Sequence, residues 1–232
     1  MNRHTIQKTE DGTFTLVDER IGETFHSTHG ALTESLHIFI NAGLLALPKD
    51  LKTISVFEIG FGTGLNAWLT AIVAIENKIQ VEYVSVDAFP VASETLSQIN
   101  FADMYKNEFS DLYLQIIQSN WETENRIHPF FRLKKRESSF QEWSEKSLYD
   151  LIYYDAFSPD KQPELWTLEC FQKCYQMLNP GGLLLTYSAK GSVKRALRDA
   201  GFRVENLPGP PGKREITKAI KKSFTTDNTD GH

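Results

Sequence analysis

The chain is predicted to fold as a single α/β unit, a mostly parallel sheet with helices on both faces, and three observations carry that expectation. Strand-like runs near residues 54–59, 81–87, 131–135, 149–155 and 182–188 alternate with helical segments, which is the β-α-β order of a doubly wound sheet. A glycine-rich turn at 58–64 sits between the first of those strands and a helix-like stretch at 65–75. Acidic residues close two of the strands, Asp87 and Asp155, where ligands bind in such sheets, at the carboxyl ends near the switch in strand order.

The N-terminal fifty residues precede the sheet and are expected to pack on it as an extension: a strand at 13–18, a loop at 24–30 and an amphipathic helix at 32–45. An extension of this kind can cover the mouth of the site, which directs attention to its polar residues His26, Ser27 and Glu34. The main unit is expected over 51–222 and a disordered tail over 223–232. After Pro180-Gly181-Gly182 come a helix near 191–200 and two last strands, 202–207 and 214–220. The rigid Pro208-Gly209-Pro210-Pro211-Gly212 connection between them suits an antiparallel hairpin at the sheet edge.

With 232 residues, 41% of them hydrophobic, the chain can bury one substantial core. It has no apolar stretch of about 18 residues and no h-region after Met1, so neither a membrane span nor a secretion signal is expected, and the protein is read as cytoplasmic. Cys170 and Cys174 stand four apart in a helical pattern, which suits buried thiols better than a disulfide or a metal site. The six histidines show no metal-ligand spacing, and no metal is expected. Net charge is −5, yet residues 189–222 hold ten bases against three acids, a local +7 that leaves −12 elsewhere. That asymmetry fits a phosphate-contacting face on an acidic protein, and equally a solvated helix face with a basic tail.

In Glu58-Ile59-Gly60-Phe61-Gly62-Thr63-Gly64 the dinucleotide spacing fails, because Leu65 stands where a third glycine would be needed. The pattern found, E-x-G-x-G-x-G, resembles the first motif of class I S-adenosylmethionine (SAM) methyltransferases, whose fold is Rossmann-like. Asp87, about 20 positions on at the end of an alternating strand, is placed to accept hydrogen bonds from ribose hydroxyls; the alternative is a helix cap near Val91.

The resemblance sharpens further along. Tyr149 to Asp155 runs into Ala156-Phe157-Ser158-Pro159-Asp160-Lys161-Gln162-Pro163-Glu164-Leu165-Trp166. With E-I-G-F-G-T-G-L-N at 58–66, V-D-A-F-P at 86–90, L-N-P-G-G at 178–182, Y-S-A-K-G-S-V-K-R-A-L at 187–197 and G-K-R-E at 212–215, the chain looks like the methyltransferase domain of the MnmC family over residues 24–220. The resemblance implies a seven-stranded, mostly parallel sheet ending in an antiparallel hairpin, and N-methylation of the 5-aminomethyl group on the wobble uridine or 2-thiouridine of tRNA, with SAM as donor. Family members often carry a flavin-dependent oxidase domain; this chain ends before one, so methyl transfer alone, without flavin, is expected.

By the same resemblance Glu58, Gly60, Gly62, Gly64, Asn66 and Asp87 hold the cofactor. Where the family tends to show Gly-Asp after the third strand, this chain has Lys135-Arg136-Glu137-Ser138-Ser139, so Ser139 or Glu137 takes over at the adenine. Asp155 is the candidate to orient the amine and take its proton, the alternative being that it only orients cofactor or loop. An alkylammonium with a pKa of about 10 is neutral in only about one part in a thousand at pH 7, a deficit of roughly 4 kcal/mol. Phe157 and Pro159 offer an apolar wall for a uracil ring, while Trp166 is read as core at the start of a helix reaching Met177. Lys161, Lys190, Lys194, Arg195 and Arg214 are the candidate tRNA contacts, with Arg198 beside them on the same helix pattern. Two other readings remain: an aminopropyltransferase on the same fold, and a non-catalytic SAM- or tRNA-binding protein.

Overall fold

A computed structural model describes residues 4–10, 12, 14–26, 30–99, 101 and 105–223; Ser27 and the expected tail beyond Ser223 lie outside them. The first three strands, β1 (His4–Lys8), β2 (Phe14–Asp18) and β3 (Glu23–Thr24), form a small antiparallel sheet of their own. One strand was expected here. Helix α1 (Ala31–Ser35) runs into a π turn at Leu36–Asn41 and a 3₁₀ turn at Leu44–Ala46, where the apolar pattern predicted one continuous helix. The Ala42 N–H reaches back five residues to the His37 carbonyl at 3.2 Å, which widens the coil and ends it.

The main body alternates β4 (Thr53–Ile59), α2 (Leu65–Asn77), β5 (Gln80–Asp87), α3 (Ser93–Leu96), α4 (Ser110–Gln118), β6 (Glu124–His128), β7 (Phe131–Glu137), β8 (Tyr149–Tyr154), α5 (Leu168–Met177), β9 (Leu178–Thr186), α6 (Gly191–Asp199), β10 (Arg203–Pro208) and β11 (Glu215–Ile220). Together these strands make one sheet in the order β10-β11-β9-β8-β4-β5-β7-β6. Strands β9, β8, β4, β5 and β7 are parallel; β11 is antiparallel to β9, and β10 to β11, giving the expected hairpin edge. The eighth strand, β6, pairs antiparallel with β7. Its sequence, Glu-Asn-Arg-Ile-His, lacks an apolar run because an edge strand buries little of either face.

Side-chain alternation along the central strands builds two cores. Val56, Leu151 and Tyr153 face the layer that holds α2, α4 and the N-terminal helix, while Phe57, Ile59, Ile152 and Tyr154 face α5 and α6. From β4 the chain builds outward through β5 and β7, then returns to β8 on the other side. The strand order therefore reverses between β4 and β8, and a crevice opens at their carboxyl ends. On the far edge, Pro180-Gly181-Gly182 does not precede β9 as a turn but lies within it, where the register against β8 shifts between Tyr149 and Leu151. Cys170 and Cys174 are free and buried on α5. Trp166 is also buried, just ahead of α5, which begins at Leu168 with Thr167 Oγ1 accepting the Cys170 N–H at 3.3 Å.

Candidate functional site

The glycine turn forms the floor of that crevice. Gly60 (φ +92°) and Gly62 (φ +52°) both occupy the left-handed region. A Cβ on Gly60 would stand 2.7 Å from the Asp155 carbonyl oxygen, and one on Gly62 would stand 3.0 Å from the Phe25 ring. The first of these contacts exists because β4 and β8 are hydrogen-bonded to their ends: the Asp155 N–H donates to Ile59 O at 3.1 Å.

Four polar side chains interlock at this end of the sheet. Asn66, on the first turn of α2, donates through Nδ2 to Asp155 Oδ2 at 2.8 Å and to Glu58 Oε1 at 3.1 Å. Ser85 Oγ donates to the other Glu58 oxygen at 2.8 Å. Glu58 is fully buried, and burial pushes its pKa up to about 8. Asp155 is raised to about 7, by burial first and then by the charge of Glu34, against the Asn66 hydrogen bond and Lys213, which lower it. Asn66 Oδ1 is buried without a partner. Across the turn, Asp87 accepts the Gly62 N–H through Oδ2 at 3.0 Å and the Phe89 N–H through Oδ1 at 2.9 Å. Burial raises its pKa and these two bonds lower it in part.

The N-terminal extension supplies the roof. Phe25 packs edge-on against Phe157 with ring centroids 5.1 Å apart. Glu23 Oε2 accepts from Ser158 Oγ at 2.9 Å, His26 Nε2 lies 2.7 Å from Thr63 Oγ1, and the Arg20 guanidinium sits 3.8 Å from the centre of the Phe89 ring. The cavity beneath it measures about 700 Å³. Part of its wall is Tyr187, Glu34 and Lys213, with the Lys213 ammonium 2.5 Å from Glu34 Oε2 and 4.3 Å from the Tyr187 ring centre.

Of the residues singled out from sequence, Gly60, Gly62, Asn66, Asp87, Ser139, Asp155 and Phe157 line this cavity, as do His26 and Glu34. Glu58 lies beneath the floor and acts on it through Asn66, while Gly64 turns the chain into α2 without lining it. Ser139 enters together with Ser138, and Ser139 Oγ accepts the Glu142 N–H at 3.3 Å. Glu137 stays outside, its N–H bonded to Glu122 Oε1 at 2.8 Å. Pro159, Lys161, Lys190, Lys194, Arg195 and Arg214 do not line the cavity either.

Lys194 is a correction. Expected as an exposed phosphate contact, it is 7% exposed and bonded to Glu215 Oε1 at 2.8 Å, because its position on α6 turns it inward against β11. Lys190 is paired with Asp160, whereas Arg195 and Arg214 are exposed. In the G-K-R-E block the neighbour of the expected arginine, Lys213, is the base that reaches the cavity. Phe25 and Tyr187 were also missed. No spacing signal marks them, since each reaches the site only through tertiary packing. Among the described residues no cluster of His, Cys, Asp and Glu has the arrangement of a metal site, and no helix is long and apolar enough to cross a membrane.

The buried Glu58 predicts a pH effect on stability. A carboxyl with a folded pKa near 8, against about 4.5 unfolded, keeps a proton that the unfolded chain has released. Stability should therefore fall as pH rises from about 4.5 to 8, and Asp155 adds a slope of the same sign between about 4 and 7. Replacing Glu58 by Gln removes the larger part. Thermal melts at pH 5 and pH 8 should show wild type losing at least about 3 °C more than the variant, since one pKa unit is about 1.4 kcal/mol and each kcal/mol moves Tm by roughly 2 to 4 °C. Equal losses would mean that Glu58 is not held protonated.

Fold and turn define the class: this is the class I S-adenosyl-L-methionine-dependent methyltransferase architecture, and residues 133–222 match the family model described as S-adenosyl-L-methionine-dependent methyltransferase. A curated relative from Pseudoalteromonas atlantica, the tRNA 5-methylaminomethyl-2-thiouridine biosynthesis bifunctional protein MnmC, is 29% identical over 93% of this chain and 33% of its own length. The crystal structure of MNMC2 from Aquifex aeolicus superposes with a TM-score of 0.77 at 28% identity, covering 96% of this chain and 72% of that one. Spermidine synthase from Thermotoga maritima shares the fold, with a TM-score of 0.57 at 16% identity over 95% of this chain and 73% of that one. The chain is thus similar to the methyltransferase part of the MnmC proteins, and it spans about a third of the length of the bifunctional relatives it matches.

Proposed function

We propose that this protein transfers a methyl group from S-adenosyl-L-methionine to the amine of 5-aminomethyl-uridine, or its 2-thio form, at the wobble position of tRNA, in the cytoplasm. The observation that carries the reading is Asp155: a buried carboxyl in the same cavity as the glycine turn and Asp87, its pKa raised to about 7 by burial.

The cavity's residues fit the donor. Gly60 and Gly62 leave their backbone open where a Cβ would intrude, Asp87 offers carboxylate lone pairs to ribose hydroxyls, Ser138 and Ser139 offer hydroxyls to an adenine edge, and the unpartnered Asn66 Oδ1 suits an ammonium N–H. When bound, S-adenosyl-L-methionine supplies an electrophilic methyl carbon on a sulfonium. Everything else is done by the chain. Asn66 fixes Asp155 Oδ2, which leaves Oδ1 to meet the substrate amine. Moving a proton from an ammonium of pKa about 10 to an ordinary carboxylate is uphill by about 6 pKa units, or roughly 8 kcal/mol. With Asp155 near 7 the gap is about 3 units, roughly 4 kcal/mol. Phe157 and Tyr187 give apolar surface for the uracil and, with Phe25, keep water from the lone pair.

The decisive assay is incubation with S-adenosyl-L-methionine and tRNA from cells unable to make this methylation, followed by nucleoside mass spectrometry. A gain of one methyl on aminomethyl-uridine is the expected result, and no gain sinks the reading. Asp87→Ala should weaken binding of S-adenosyl-L-methionine by about 1 to 3 kcal/mol in calorimetric titration, as ribose hydroxyls lose an acceptor. The exposed Arg195 and Arg214 replace Lys194 as the test of phosphate contact. Reversing both to Glu should weaken tRNA binding and reduce the slope of log K against log salt by somewhat under one unit per lost contact, with donor affinity intact. An unchanged slope would move the tRNA face elsewhere.

A further inference from the structure

Beyond the effect of its charge on Asp155, Glu34 has no part in the chemistry above, yet it is 7% exposed, lines the same cavity as Asp155, and comes from α1 rather than from the sheet. A chain of contacts ties it to the Asp155 loop. Lys213 holds Glu34 at 2.5 Å and lies on the Tyr187 ring, and the Tyr187 hydroxyl donates to the carbonyl of Ala156, the residue after Asp155, at 2.8 Å. With Asn66 Oδ1 given to the donor's ammonium, this part of the cavity still offers two carboxyl groups, Asp155 and Glu34, against one cation, Lys213. An excess of acceptors suits a ligand rich in N–H donors, as a primary amine is.

We propose that Glu34 is a second amine-binding carboxylate which, with Asp155, limits the reaction to one methylation. This rests on the function proposed above. The substrate ammonium gives one proton to Asp155, and the freed lone pair forms the N–C bond as the S–C bond of the sulfonium breaks, leaving a thioether and a secondary ammonium. In the reactive geometry the lone pair points at the methyl carbon, so one N–H of the primary amine goes to the Glu34 carboxylate and the other to an oxygen lone pair left on the now protonated Asp155 carboxyl. A methylated amine poised for a second transfer has only one N–H. Its methyl group must then face one of the two carboxyl groups, stripping a buried acceptor of its partner, and the second transfer is suppressed. Lys213 holds the Glu34 carboxylate in place for this purpose.

Three measurements test the proposal. Glu34→Gln keeps the shape without the charge, and should lower kcat/KM for aminomethyl-uridine tRNA about 10- to 100-fold. Without donor present, the same variant should lose about tenfold in affinity for tRNA bearing the aminomethyl group, with affinity for unmodified tRNA unchanged. Glu34→Ala, which also opens space, should produce dimethylaminomethyl-uridine that wild type does not make. Circular dichroism and donor titration identify folded variants. If Glu34→Gln discriminates aminomethyl from unmodified tRNA as wild type does, or folded Glu34→Ala gives only the monomethyl product at the wild-type rate, the proposal is overturned. A wild-type protein that methylates no tRNA fails the functional reading itself, which separates the two.

Discussion

Asp155→Asn is expected to keep its fold and its affinity for S-adenosyl-L-methionine while losing about 10²- to 10⁴-fold in turnover, the range typical of a positioned general base. The amide retains the shape and can still accept the Asn66 hydrogen bond through its oxygen, so the loss isolates the proton acceptor. The pH profile makes the expectation sharper. Wild-type rate should rise through the Asp155 pKa near 7 and flatten, because the carboxylate form is then complete. In the variant the neutral amine must come from solution, so its rate should keep rising towards the amine pKa of about 10, narrowing the gap at alkaline pH. Equal rates at neutral pH would falsify the role.

Gly60→Ala should be the most damaging small substitution in the glycine turn. Its Cβ would meet a backbone oxygen, Asp155 O, at 2.7 Å, and its φ of +92° is costly for any L side chain. Neither neighbour can yield without breaking the bond from the Asp155 N–H to Ile59 O. A loss of roughly 2 to 4 kcal/mol follows, seen as a fall in Tm of about 5 to 15 °C, together with loss of donor binding as the turn and Asp155 shift. Gly62→Ala is milder, since its 3.0 Å contact is with the Phe25 ring, which can rotate. Melting curves and calorimetry of the two variants side by side test the ranking, and a Gly60→Ala variant as stable as Gly62→Ala would refute it.

The parallel strands were legible because each writes its burial into its own residues. Thr53–Ile59 and Tyr149–Tyr154 are rich in large apolar and aromatic residues and mostly buried, as strands covered on both faces must be. The glycine turn, Asp87 and Asp155 were legible for a related reason: each is a local signal at a strand end. The edge strand Glu124–His128 was not, being half-exposed and polar. The π turn at Leu36–Asn41 was hidden too, because its apolar pattern reads the same as that of an ordinary helix over so short a span.

Sequence by itself determined the class of fold, the motif and the carboxylate at the end of the fourth parallel strand, since strand period, glycine spacing and acid position are properties of consecutive residues. Tertiary structure alone decided which of the basic residues reach the cavity and which are spent elsewhere. Lys194 and Lys213 are both lysines in the same basic stretch, and both carry a carboxylate partner. One is turned against β11 by its helical phase, and the other is carried to Glu34 by the hairpin that precedes β11. The roof over the cavity was settled in the same way, by Phe25 meeting Phe157 across more than a hundred residues of chain. The physical reason is that a side chain's direction at such positions is set by the packing of distant elements, and no local periodicity encodes it.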